Sequence, residues 1–346
     1  MNNTLYNHMK RWYVPIILIC AIVYYFIYTY EPREVAVDLP FDARVVYIED
    51  VTQDGLTSGR FGDIVLLDGQ QNKRLLLTRD NYYNMNPAWF PDGKRILFES
   101  KRDPDRYALG LSWGSSLFTL DIESRGITPF LPDLSEHEFV DHISNPALSP
   151  DGSILIFNSR QFDSNNVIKI DLNTREVTVL FTQRSFTGAY FSPDGKLISY
   201  ARSRNRRSLI EIRDLNNEGE LLERIELPEQ YSIDDTINCY PGEWDTVTSF
   251  YFSCNNHSKR ESMLFHYSIN NQLLQLITVI DHWVVFDVHW LDSSRFLFVG
   301  TSNDKPSPFA DFLLISEIFM YDMETGELSK ITDNKRQKRH LGVYKE

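Results

Sequence analysis

Asn145-Pro146-Ala147-Leu148-Ser149-Pro150-Asp151-Gly152-Ser153-Ile154-Leu155-Ile156-Phe157 decides the reading of this chain, because it recurs. Asn86 to Phe98 repeats it as N-P-A-W-F-P-D-G-K-R-I-L-F, and Ala189 to Tyr200 as A-Y-F-S-P-D-G-K-L-I-S-Y. A fixed period of this size marks a repeat architecture. Each copy reads as strand, tight turn, strand: Pro presets φ at the first turn position, and Asp-Gly tolerates the left-handed region that follows.

A second unit, an alternating apolar strand ending in a turn, lies upstream of each copy. Its copies start at Asp63, Ser116, Asn166, Ser208, Ser262 and Glu317, separated by 53, 50, 42, 54 and 55 residues. That spacing holds four short strands and their turns, the size of a propeller blade. Degraded hairpins follow at Trp244-Asp245-Thr246 and Leu291-Asp292-Ser293-Ser294, and a lone strand, Val45 to Ile48, stands at the front. The front strand has no opening half, and the last unit, Glu317 to Thr332, has no closing hairpin. The expected fold is therefore all-β: a six-bladed β-propeller closed by its N- and C-terminal strands, the front strand completing the last blade so that no sheet edge is left open.

The strand of I-Y-x-x-D type, the Leu-Thr strand (Leu77-Thr78, Ile127-Thr128, Ile331-Thr332) and the N-P-x-W/L-S-P-D-G-x-x-I-x-F hairpin resemble the repeat of the TolB-like six-bladed propellers of bacterial envelopes. The resemblance covers roughly residues 43 to 333. It implies a rigid ring and an extracytoplasmic setting. It implies little about chemistry, since one repeat of this kind serves scaffolds, peptidase accessory domains and lyases.

Residues 12–30 carry no charge and are mostly apolar. At 1.5 Å per residue they reach about 28 Å, the thickness of a bilayer core. No small-x-small cleavage site follows them, so they read as a single transmembrane helix. Lys10 and Arg11 before the span place residues 1–11 in the cytoplasm by the positive-inside rule. Residues 31–42 form a tether, 43–333 the propeller, and 334–346 a basic, solvated tail. The expected location is the cytoplasmic (inner) membrane, single-pass, with the propeller in the periplasm.

The net charge of −13 argues against a nucleic-acid partner, which requires concentrated Lys and Arg. Cys20 lies in the span. An oxidising compartment favours a Cys239–Cys254 bond, yet with the hairpin turn near Glu243, Cys239 faces a position near Val247, and Cys254 lies beyond bonding reach.

Gly110-Leu111-Ser112-Trp113-Gly114 fits the G-x-S-x-G nucleophile elbow, but it runs directly into a strand at Leu117, and no stretch remains for a hydrolase domain. Glu136 to His142 is the densest titratable cluster, with His137 and His142 five residues apart. That interval suits neither a helix face nor a strand face, so a polar loop is the simpler account. A metal-dependent lyase or hydrolase working in the central channel, with His257, His282 and His289 as candidates, is the alternative function; an accessory or sensor subunit of a membrane complex is a third. No cofactor and no metal site are expected. Asp92, Asp151 and Asp194 recur because the turn needs them, and Asn86 and Asn145 read as turn formers.

Topology is the better pointer. The Asp-ended turns and the Pro-Asp-Gly turns fall on one rim of the ring, so the long, irregular connections fall on the other. Those connections and their borders carry Arg60, Tyr82, Tyr83, Arg102, Arg106, Tyr107, Trp113, His137, His142, Arg160, Arg202, Arg204 and Trp283. Aromatic and Arg side chains are the preferred anchors of protein interfaces. The expected function is binding of a protein or peptide partner in the cell envelope through this long-loop face, without catalysis.

Overall fold

The Pro-Asp-Gly segments are hairpin turns, and their side chains show why the motif recurs. At Ser149 the hydroxyl donates to Asp151 Oδ1 at 2.6 Å and accepts from the Ile154 amide at 2.9 Å. Ser192, Asp194 and Leu197 repeat both contacts at 2.7 and 2.9 Å. Gly93, Gly152 and Gly195 take φ of 60°, 72° and 71°. A methyl group at Gly152 would meet only Pro91, but one at Gly93 would lie 2.4 Å from the Tyr344 ring and 2.5 Å from Arg44. The left-handed backbone alone costs a non-glycine residue about 1–2 kcal/mol. Gly152→Ala is expected to lose about that much in urea unfolding, and Gly93→Ala clearly more, because it also displaces the Arg44 guanidinium that lies 4.6 Å from the Tyr344 ring.

The computed structural model describes residues 33–50, 62–80, 82–102, 115–130, 143–161, 164–183, 188–204, 207–231, 237–256, 258–281, 283–302, 316–334 and 336–345. Among them the strands form six antiparallel sheets. Five are four-stranded blades within residues 84–129 (blade two), 143–183, 189–225, 237–281 and 283–330 (blade six). Six innermost strands, Lys338–Tyr344, Asn84–Trp89, Ile143–Leu148, Ala189–Phe191, Ile237–Thr246 and Trp283–Trp290, touch in succession and close a ring. The core is divided in the same way. There are six buried apolar clusters, one between each pair of neighbouring blades. Strand alternation sends neighbours in sequence to opposite sides: Ile96 packs toward blade one and Leu97 toward blade three.

The ring is closed by the chain ends, as the repeat count requires, but in the first blade and not the last. Arg44–Asp50 pairs on one side with Gly62–Asp68 and on the other with Lys338–Tyr344. Blade six is complete without it, because each blade begins at the hairpin and the strand left over is the second of blade one. The segment from residue 334 is therefore not a solvated tail. Lys338 is fully buried, with its Nζ 3.4 Å from Glu49 and 3.3 Å from Glu317. Arg336 and Arg74 reach Glu49 at 3.0 and 2.8 Å. Basic residues that look like a solvent-facing run are neutralised by carboxylates almost 300 positions earlier.

The expected tether, 31–42, is also partly ordered onto the ring. Glu34–Ala36 adds a fifth strand to blade one, antiparallel to Lys73–Leu76, and Phe41 is buried. No helix of the described residues is long and apolar enough to cross a membrane; residues 12–30 lie outside them.

Cys239 and Cys254 form a disulfide, against the strand-register expectation. Ile237–Thr246 is ten residues long and turns at Val247-Thr248, not near Glu243. Irregularities between Pro241 and Thr246 absorb the extra residues and set Cys239 directly opposite Cys254, with Cα atoms 4.0 Å apart.

Candidate functional site

All strand pairs are antiparallel, so connections alternate between the two rims. One rim holds the short turns, and the other holds the connections on which the anchor residues were placed. Of those residues, Arg60, Arg106, Tyr107, Trp113, His137 and His142 lie outside the described residues, and so do the side chains of Arg160 and Arg204. Tyr82, Tyr83 and Arg102 do come together, on the long-loop rim between blades one and two. Arg102 donates to Asp80 at 3.0 Å, to Asn84 Oδ1 at 2.9 Å and to Ser100 Oγ at 3.0 Å. Its guanidinium lies 5.2 Å from the Tyr82 ring, and Lys101 Nζ lies 4.9 Å from the Tyr83 ring. Tyr82 is 44% exposed, and it is the aromatic one among the large apolar side chains exposed in the described residues.

The other two anchors have partners within the blades. Arg202 joins Arg224 and Tyr200 around the buried carboxylate of Glu211, at 3.2 Å from it. Burial alone would raise that carboxyl, but the hydrogen bonds from Tyr200, Arg224 and Arg202 hold it below the ordinary Glu range. Trp283 packs edge-on against Phe319, with centroids 4.6 Å apart. A core aromatic at the end of an inner strand cannot be told from a rim aromatic by position in the sequence.

The channel carries a second set of groups; of these the sequence reading took Asn86 and Asn145 for turn formers and placed His340 in a solvated tail. Asn86, Asn145, Asp287 and His340 occupy bulges in four innermost strands, with φ of 49°, 52°, 53° and 54°. Asn, Asp and His tolerate this region better than other side chains. Pro87 and Pro146 follow two of them without harm because an innermost strand needs no partner on the channel side. These residues line a cavity of about 510 Å³ on the ring axis together with Tyr190, Tyr240 and His289.

Carboxylates hold the bulges in place. Buried Glu99 accepts from Asn86 Nδ2 at 2.9 Å, from Ser115 Oγ at 2.7 Å and from the backbone amide of Asn145, and the last of these ties blade two to blade three. Asp287 accepts the amides of His340, at 3.0 Å, and Leu341, so the last blade grips the closing strand. Burial pushes the Asp287 carboxyl up to about 6, against the pull of those two amides. Its folded value lies above its unfolded one, so its protonated form is favoured in the fold and its contribution fades as the pH rises from about 4 to about 6. Asp287→Asn should therefore gain stability relative to the parent across that window, as read from melting temperatures at matched pH; a constant difference would exclude the protonation change.

His289, a candidate of the metal-dependent alternative, is buried in its strand. Its Nε2 lies 3.4 Å from the Tyr190 hydroxyl and its Nδ1 3.9 Å from Glu243. Among the described residues no three His, Cys, Asp or Glu side chains gather in a way that would hold a metal ion; His257 and His282 lie outside them.

No family model matches the sequence, and no curated protein matches it. Solved structures do match. TolB from Acinetobacter baumannii aligns over 89% of this chain and 68% of its own, with a TM-score of 0.56 and 16% identity. A putative TolB from Agrobacterium tumefaciens aligns over 84% and 89%, with a TM-score of 0.57 and 16% identity. A nidogen/laminin complex gives 87% and 98% coverage at TM-score 0.55 and 9% identity. At such identities the likeness speaks to fold. The described residues form an all-β, six-bladed propeller of the TolB-like kind.

Proposed function

We propose that the protein is a membrane-anchored, extracytoplasmic binding scaffold whose long-loop rim takes a protein or peptide partner. The anchor is the uncharged segment 12–30, with the N-terminus in the cytoplasm and the propeller in the periplasm. The observation that carries the binding reading is the exposed Tyr82 ring set over Arg102, beside the Lys101–Tyr83 pair. A rigid aromatic with a cation beneath it loses little entropy when covered, which is what makes such residues anchors. The nidogen/laminin complex shows a ring of this shape solved with a protein partner, and that use is extended here to this chain by its rim chemistry.

The test is recovery of partners from membranes with the full chain as bait. Tyr82→Ala is expected to lower recovery of a specific partner at least about tenfold, the effect of an anchor contributing about 1.4 kcal/mol or more. Its melting temperature should stay near that of the parent. Undiminished recovery by a folded Tyr82→Ala chain would remove the rim from the interface.

A further inference from the structure

The strand Glu34–Ala36 gives the ring a polarity relative to the membrane. It lies antiparallel to Lys73–Leu76, with Glu34 opposite Leu75 and Ala36 opposite Lys73. Lys73 follows a short turn, so it is at the hairpin rim, and Leu76 is at the long-loop rim. The chain therefore arrives at the long-loop rim, where the Leu76 amide donates to the Arg33 carbonyl at 2.7 Å. It then climbs the outside of blade one and is caught at the far end by Asn72, whose carbonyl accepts from Val37 at 2.9 Å.

Given the anchor proposed above, on which this step rests, the consequence is geometric. Three residue steps separate Tyr30, the end of the apolar segment, from Arg33. Fully extended, they reach about 10 Å. The long-loop rim beside blade one is thus held within about 10 Å of the bilayer, facing it, and the hairpin rim faces away. A folded soluble domain of 100 residues has a radius of gyration of about 13 Å, so it is more than twice as wide as that gap.

The chemistry of the facing sector narrows the occupant. Arg33, Arg79, Lys101 and Arg102 lie there with Tyr82 and Tyr83. Among the described residues three acids lie beside them, and each is accounted for: Asp80 is paired with Arg102, Glu34 is paired with Lys73, and Asp63 is buried. The outward rim, in contrast, carries Asp92, Asp121, Asp151, Asp171, Asp194 and Asp322 in its turns. We infer that the partner is an integral protein of the same membrane, engaged through a short acidic segment next to one of its spans. An acidic segment is drawn to the basic sector and repelled by the opposite rim, and a juxtamembrane segment fits where a soluble domain does not.

The test uses the full chain in its native membrane, carrying a benzophenone side chain either at position 82 or at position 247, which is 44% exposed on the hairpin rim. Irradiation at position 82 should give at least tenfold more of a protein adduct that survives carbonate extraction. The crosslinked peptide should be acidic and lie within about 15 residues of a span of the partner, and Lys101→Glu should lower the yield at least fivefold. Adducts with carbonate-extractable proteins, adducts with phospholipid alone, or a greater yield at position 247 would overturn the inference. Carbonate release of the chain itself would instead show that the anchor is wrong, and the inference would fall with it. Soluble adducts from a chain that stays in the membrane would sink the inference alone.

Discussion

Lys338→Met should lower the stability of the ring by about 3–5 kcal/mol, because it leaves Glu49 and Glu317 buried with their shared cation gone. For a domain of this size that is a fall in melting temperature on the order of 10 °C. The Lys338 side chain is fully buried, and the closing strand that carries it pairs with the N-terminal strand Arg44–Asp50. Burial would raise the Glu49 carboxyl, but Lys338, Arg74, Asn334 and Arg336 together bring it below the ordinary Glu range. Stability from a lowered carboxyl is complete above its unfolded value and is lost as the pH falls through its folded value. The parent should therefore lose melting temperature on acidification below about pH 4.5, and Lys338→Met should lose less over the same window. Adding Glu317→Gln to Lys338→Met should restore part of the loss. A melting temperature within 2 °C of the parent for Lys338→Met would mean that the cluster does not hold the ring shut.

The second large effect is expected at the disulfide. Cys239 and Cys254 are 15 residues apart, and the loop-entropy account assigns a bridge of that span about 3 kcal/mol. The pair lies in the buried cluster between the fourth and fifth blades, so Ala is the cleaner replacement: it leaves no unpaired hydroxyl there. The double variant Cys239→Ala, Cys254→Ala should melt about 6–12 °C below the parent, and reductant should move the parent most of the way to the same value. Reductant that leaves the parent's melting curve in place would count against the bond's contribution. Thiol blocking at lysis followed by mass analysis tests the compartment independently: a periplasmic ring should be oxidised at both cysteines, and one made in the cytoplasm should not.

Much of the ring was readable because its turns act locally. The Ser149, Pro150, Asp151 and Gly152 side chains and dihedrals satisfy one another within six residues, so the hairpin is legible wherever the motif occurs. The blade count followed from the spacing of those turns. The rim cluster was partly legible: Tyr82, Tyr83 and Arg102 were placed on the right rim by counting connections. Arg202 and Trp283 were placed there by the same count, yet one is held by Glu211 and the other by Phe319. A count of connections gives the level of a residue in the blade but not the direction of its side chain.

The features that escaped depend on register or on partners far away in the chain. Bulges shift the pairing of Ile237–Thr246 and bring two cysteines into line, and no periodicity announces a bulge. Asn86, Asn145, Asp287 and His340 became one channel lining in the same way.

From the amino-acid order alone came the strand modules, their number, the all-β class and the need for the chain ends to meet, since each rests on interactions between near neighbours. Tertiary structure alone decided which end strand closes which blade, that a basic C-terminal run is a buried strand, and that the entering strand Glu34–Ala36 begins at the long-loop rim. The first two outcomes depend on Coulomb pairing and hydrogen bonds between residues almost 300 positions apart, the third on strand pairing about 40 positions apart, and their energy appears only after the fold has brought the partners together.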